Sequence, residues 1–125
     1  MTRMTSDEGS VSIVVAALVA IMVVMATAAA DVVRVLAAAS RGQTAADAAA
    51  LSAVQSLALP DEVLPEDRAR EYAERNDATL EACVCEPGSF EATVTVRMEV
   101  GDLLLFGGGR SVVATARAVV DLPAP

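Results

Sequence analysis

Ser10–Ala30 reads SVSIVVAALVAIMVVMATAAA and carries no charge. At about 1.5 Å of rise per residue this run is roughly 31 Å long as a helix, the thickness of a bilayer's hydrocarbon core. It does not stop where a membrane span normally stops. Ala-rich, helix-favouring sequence continues through Asp31–Leu59, and the first proline is Pro60. One helix is therefore expected from Ser10, a possible N-cap, to about Leu59, with only Gly42 weakening its middle. Leu59-Pro60-Asp61 ends it, because proline lacks the donor a helix interior needs. This divides the chain into a polar leader (1–9), a transmembrane segment (10–30), a helical extension (31–59) and a small domain (60–125).

A cleaved signal peptide is the competing reading of the N-terminus, with small residues before Asp31 as its cleavage site. The apolar run is longer than a usual signal core, Asp7 and Glu8 spoil the basic leader, and the helix continues past any cut. A retained anchor is the better reading. Arg3 lies on one side of the run and Arg34 and Arg41 on the other, so loop charge hardly decides orientation. A cytoplasmic N-terminus is expected because it exports the acidic domain. The net charge is −8, with neither lysine nor histidine. That balance opposes nucleic-acid binding, which needs a basic footprint.

The remainder is small, and aromatic residues are limited to Tyr72, Phe90 and Phe106. A core of this size is marginal alone, so the second half is expected to lean on the long helix or on neighbouring subunits. Pro65 opens a second helix, with Glu66 and Asp67 at its start and Arg75 at its end. Glu66–Arg70 and Glu71–Arg75 have the favourable acid-first i,i+4 order. Its apolar stripe is thin (Ala69, Tyr72, Ala73), and Asn76-Asp77 closes it.

Beyond that helix the period changes from 3.6 to 2. Phe90, Ala92, Val94, Val96, Met98 and Val100 alternate with Glu91, Thr93, Thr95, Arg97 and Glu99, the pattern of a half-buried strand. Thr79–Glu86 alternates Leu80, Ala82 and Val84 against Thr79, Glu81, Cys83 and Cys85, and Pro87-Gly88 suits a type II turn. Ser111–Leu122 supplies a third strand, with Val112, Ala114, Ala116, Ala118 and Val120 on one face. The expected fold is α+β: a long N-terminal transmembrane helix with a polar extension, a short second helix, and a three-stranded antiparallel sheet packed on the long helix.

Small residues recur at four-residue spacing at Ala16/Ala20, Ala26/Ala30, Ala45/Ala49 and Ala46/Ala50, the pattern that lets helices approach closely in lipid. Asp31, just past the apolar run, is expected to sit hydrated in the headgroup zone, with Arg34 in pairing range. Asp47 stands among alanines. Cys83 and Cys85, two apart on a strand, have Cα atoms roughly 6.6 Å apart, near the limit for a bridge. An internal disulfide, free thiols and bridges to another chain all stay open. Two thiolates without further ligands do not make a zinc site. Leu103-Leu104-Leu105-Phe106 is expected to fold back and thicken the core; exposed, it would be a patch for a partner or for lipid. Without histidine, no nucleophile has its commonest base, and no catalytic, cofactor or metal site is expected.

Glu8-Gly9-Ser10 before the apolar run, Asp31-Val32-Val33-Arg34 after it, and Gln43-Thr44-Ala45-Ala46-Asp47-Ala48-Ala49-Ala50-Leu51 resemble the N-terminal segment of TadE/TadG-like minor pilins of Flp (Tad) pili. Asp31, Arg34, Gln43, Asp47 and Leu51 carry the motif. Tyr72-Ala73 followed by Asn76-Asp77, and the short strands after it, look most like the small helicase/secretion neighborhood TadE-like proteins. The resemblance implies a non-enzymatic, membrane-anchored pseudopilin-like component of a bacterial pilus-assembly or secretion system. Its partners would be the membrane, other pilin-like or secretion subunits, and copies of itself. It also implies processing between Gly9 and Ser10, although Val14 stands where prepilin peptidase substrates carry glutamate. An anchored extracytoplasmic binding module, recruiting a partner through Leu103–Phe106 or the sheet edge, is the alternative.

Overall fold

A computed structural model describes residues 5–59 and 61–124, and side chains in α1 from Gly9 onward. Helix α1 (Thr5–Ala58) is a single 54-residue element, about 80 Å long at the α-helical rise. It begins before Ser10, so Ser10 lies inside the helix and caps nothing. The expected stop at Pro60, like the first four residues of the leader, falls outside the described residues. Helix α2 (Pro65–Arg75) follows, then strands β1 (Thr79–Val84), β2 (Glu91–Glu99) and β3 (Ser111–Val119). The strands form one antiparallel sheet in the order β1-β2-β3.

Helix α1 lies across one face of the sheet and α2 packs beside it, so the domain is two layers thick. Ala38, Gly42, Ala45, Ala49, Ala53 and Ser56 are buried at three- and four-residue spacing, and Ala46, Ala50 and Val54 add a second buried row. The sheet answers with Ala92, Val94, Val96 and Met98 from β2 and Ala114 and Ala116 from β3. Almost every contact between the layers is alanine or valine, which lets the helix sit close to the sheet. Gly42 lies directly against the sheet. A Cβ there would lie 3.4 Å from the Met98 Cβ and 3.5 Å from the Ala114 Cβ. The glycine that weakens the helix on paper is a packing residue.

Helix α2 matches its expected form. Ala69 and Ala73 are fully buried, while Glu66–Arg70 and Glu71–Arg75 pair at 3.0 and 2.5 Å on the wet face. The Pro87-Gly88 turn is also as expected: Gly88 has φ +86° and the Ser89 N–H donates to the Glu86 carbonyl at 3.1 Å. Such a φ is what the third position of a type II turn requires.

β2 and β3 keep the expected faces, with Ala92, Val94, Val96 and Met98 opposite Ala118, Ala116, Ala114 and Val112. Phe90 departs from its expected place on that face: it precedes β2 and is largely exposed. β1 departs further. Its register slips between Leu80 and Ala82, so that Leu80 pairs with Val96 but Ala82 pairs with Thr95 and Cys83 with Val94. Glu81 is the extra residue of a bulge, and one extra residue exchanges the faces of everything after it. Leu80 and Cys83 therefore pack on the core, whereas Ala82 and Val84, expected inside with Leu80, face solvent.

Candidate functional site

The polar residues of α1 converge on the β2–β3 connection and on β3. Asp31 is only 1 % exposed, and its carboxylate is the acceptor for two backbone donors of that connection. The Leu104 N–H reaches Oδ1 and the Leu105 N–H reaches Oδ2, each at 2.7 Å. Loss of solvation pushes this carboxyl upward, but the N–H groups of Leu104, Leu105 and Phe106, with Arg34 nearby, more than offset it. The net effect holds Asp31 below its ordinary range, ionised at neutral pH. The expectation of a hydrated headgroup-zone acid is thus overturned: Asp31 is a buried latch within its own chain. Arg34, in place of an ion pair with Asp31, donates from Nη1 to the Asp102 carbonyl at 2.7 Å.

Gln43 and Asp47 lie roughly three and four turns beyond Asp31 on α1. Gln43 Nε2 donates to Asp47 Oδ1 at 3.0 Å and lies 3.4 Å from the Thr115 carbonyl on β3. Asp47 is exposed and orients Gln43, while Leu51, the last motif residue, is also exposed. Three of the five motif residues thus reach backbone groups of the sheet or its connection, the kind of tie that fixes how two elements meet.

The connection itself is folded. The Val100 N–H donates to the Arg110 carbonyl at 3.0 Å and the Leu103 N–H to the Gly107 carbonyl at 3.2 Å. Gly107, at φ +75°, turns the chain back where a side chain would be strained. Arg110 Nε donates to the Phe106 carbonyl at 3.3 Å, and its guanidinium lies 5.7 Å from the Phe106 ring centre. Only Leu103 folds inward as expected. Leu104, Leu105 and Phe106 are 58 %, 46 % and 56 % exposed, so they do not thicken the core.

Below Thr27, α1 stands free of the domain. From Val11 to Met25 its large apolar side chains are all exposed, and half-burial begins only at Thr27. The Thr27 hydroxyl returns its hydrogen to the helix, at the Val23 and Val24 carbonyls, which is how a polar side chain is tolerated in lipid. Ala16, Ala20 and Ala26 are exposed and Ala30 is half-buried. Ala46 and Ala50 are instead buried in the chain's own core, which withdraws them from packing against other subunits. Gly9 and Ser10 lie within continuous helix.

Cys83 and Cys85 form a disulfide, with Cα atoms 5.4 Å apart. The separation is shorter than that of a straight strand because Cys85 lies past the end of β1. The outer face of the sheet carries Arg97–Glu81 and Arg117–Glu91 pairs, each at 2.6 Å, and a Thr95–Thr115 hydroxyl contact. A shallow cleft between α1 and α2 holds Ser52, Ser56 and Tyr72 beside the Asp61–Arg68 pair, which closes at 3.0 Å. Among the described residues no cluster of carboxylates and thiolates is placed to hold a metal ion. What the arrangement offers is an uncovered apolar helix fixed rigidly to a small domain.

Sequence reasoning missed the Asp31 latch, the inward role of Gly42 and the bulge at Glu81. A signal for the first was present. The stretch between the two strands is too long for a tight hairpin and is rich in glycine and leucine, so its backbone donors need an acceptor.

Residues 9–56 match the family model described as putative Flp pilus-assembly TadE/G-like. The match covers most of α1, including the exposed apolar stretch and all five motif residues, and supports the TadE/TadG-like resemblance. No curated protein and no solved structure matches the chain.

Proposed function

We propose, taking the TadE/G-like helix as premise, that this chain is a non-enzymatic, single-pass subunit of a Flp/Tad-type pilus-assembly or secretion apparatus. Its N-terminus would lie in the cytoplasm and its α+β domain outside. One observation carries the reading: α1 is a single helix whose upper part is consumed by its own domain and whose charge-free part is exposed from Ser10 through Ala26. In this reading the lower part sits in the membrane, and Ala16, Ala20, Ala26 and Ala30 form the face that packs against helices of other subunits or copies. The disulfide supports an exported domain, because such bonds persist in oxidising compartments. The latch supports a retained anchor, since signal cleavage near Ala30 would create a chain end beside the buried Asp31 carboxylate.

Cysteine labelling tests the topology in a Cys83→Ala, Cys85→Ala background. An impermeant maleimide should reach Ser89→Cys in intact cells, and Thr5→Cys only after lysis; the reverse pattern overturns the orientation. Oxidative crosslinking through Ala16→Cys and Ala20→Cys should give adducts with copies or pilus subunits in the membrane. A chain that stays uncrosslinked at both positions is not packing through this face. Intact mass separates a whole chain from one cut after Gly9 or near Ala30.

A further inference from the structure

We infer that the β2–β3 connection is a second membrane contact: its tip, Leu104-Leu105-Phe106, inserts into the lipid leaflet on the domain's side, beside the point where α1 leaves the bilayer. The inference rests on the anchoring proposed above and goes beyond it.

Position is the first argument. The tip is tied by two 2.7 Å hydrogen bonds to Asp31, the first residue after the charge-free run. Side chains at that height lie at the hydrocarbon boundary when Ser10–Ala30 spans the core. The flank of α1 just below is already partly covered, for Thr27, Ala28 and Ala30 are half-buried whereas Ala16 and Ala20 are exposed. The loop thus reaches the last turn of the apolar run, and its exposed tip continues the lipid-facing surface.

Chemistry is the second. An irregular segment entering lipid must hide its backbone donors, since each unsatisfied group there costs several kcal/mol. Asp31 takes the Leu104 and Leu105 N–H groups, and the Gly107 carbonyl takes that of Leu103. What remains outward is two leucines and a phenylalanine, flanked by Arg34, Asp102 and Arg110. Arginines at this height extend into the phosphate layer while their stems stay apolar. A loop made for a watery protein interface would not need a buried carboxylate spent on its own backbone. The tip's apolar face is also too small for a stable protein interface by itself.

The chain has no tryptophan, so introduced tryptophans report alone. The full chain is reconstituted in phosphatidylglycerol/phosphatidylethanolamine vesicles carrying lipids brominated near the top of the acyl chains. Phe106→Trp should emit blue-shifted light and be quenched several-fold more than Ser89→Trp at the opposite end of the domain. Leu104→Trp repeats the measurement should Phe106→Trp disturb the loop. Leu18→Trp reports the span. Quenching at Leu18→Trp without quenching at either tip position overturns the inference and leaves the anchor standing. No quenching at Leu18→Trp overturns both. A blue-shifted tip that bromolipid does not quench means a protein covers it, which also overturns the inference.

Discussion

Gly42 gives the sharpest test of how α1 meets the sheet. Replacing glycine by alanine inside a helix gains about 1 kcal/mol in backbone terms. Here the added methyl would lie 3.4, 3.5 and 3.9 Å from carbons of Met98, Ala114 and Val112, at ordinary van der Waals contact. Burying a methyl group contributes up to about 0.8 kcal/mol more. Gly42→Ala should therefore stabilise the domain by about 1–2 kcal/mol, a factor of roughly 5–30 in the opening equilibrium. Gly42→Leu keeps the helical gain but drives three further carbons into β2 and β3, and overpacking of this kind costs about 1–3 kcal/mol. The leucine variant should fall below the alanine variant by that amount. The assay is amide hydrogen exchange of β2 in the full chain in micelles, where the central strand reports opening of the whole domain. Equal protection in the alanine and leucine variants would refute the close helix–sheet approach, and an alanine variant less protected than the parent would refute these distances by showing that the layers meet more tightly.

Asp31→Asn leaves one carbonyl for two N–H donors, so exchange at Leu104 and Leu105 should rise sharply while β2 is little changed; unaltered loop protection would show that the latch holds nothing. Acid should act in the same place. The carboxyls of Asp31, Asp61 and Glu91 lie below their ordinary values of 3.8, 3.8 and 4.5. Their stabilisation is full above those values and is lost as pH falls through the lower folded-state values. Stability measured by exchange or proteolysis should be level near neutrality and decline below about pH 4, less steeply in Asp31→Asn; a decline beginning near neutral pH would contradict the assignment. Deleting Glu81 removes the bulge but leaves Leu80, Ala82, Cys83 and Val84 opposite Val96, Thr95, Val94 and Thr93, so the disulfide should survive and β1 should keep its protection; titratable thiol and a loss of β1 protection in that variant would refute the register. Val54→Ala, a fully buried site, should cost about 1–3 kcal/mol without affecting membrane attachment, measured by flotation.

The legible parts of the fold are those where one local rule acts alone. β2 was readable because only strict alternation lets a strand show one face to a cover and the other to water. α2 was readable because Pro65, the acid-first charge pairs and Asn76-Asp77 punctuate eleven residues unambiguously. Face assignment in β1 failed because a bulge is a single-residue event decided by the partner strand, and alternation carries no mark of it. Cys83 and Cys85 were ambiguous for the same reason, since their spacing depends on where the strand ends. Asp31 was misjudged because its partners lie 73 and 74 residues away. From sequence it is an acid at the end of a span, and hydration is the default for such a residue. Ala46 and Ala50 show the remaining weakness of pattern reading. A small-residue face is the same in sequence whether it packs on a neighbour or on the chain's own sheet, and only the placement of the sheet along α1 separates Ala16 and Ala20 from Ala46 and Ala50.

That placement has a mechanical consequence. A helix of 54 residues hinged to a loosely packed domain would let the domain swing relative to the bilayer. Here alanine, valine and glycine bring the sheet against the helix, and Asp31, Arg34 and Gln43 tie it at separate heights, from the membrane boundary upward. No single one of these contacts is large, but together they fix rotation about the helix axis as well as distance from the membrane. With α1 anchored as proposed, the face that Ala16 and Ala20 would present inside the bilayer is set in register with the Arg97–Glu81 and Arg117–Glu91 surface outside it. A subunit that met neighbours both in lipid and in water, as proposed, would need that fixed angle. The polar motif residues on α1 are best understood as what sets it.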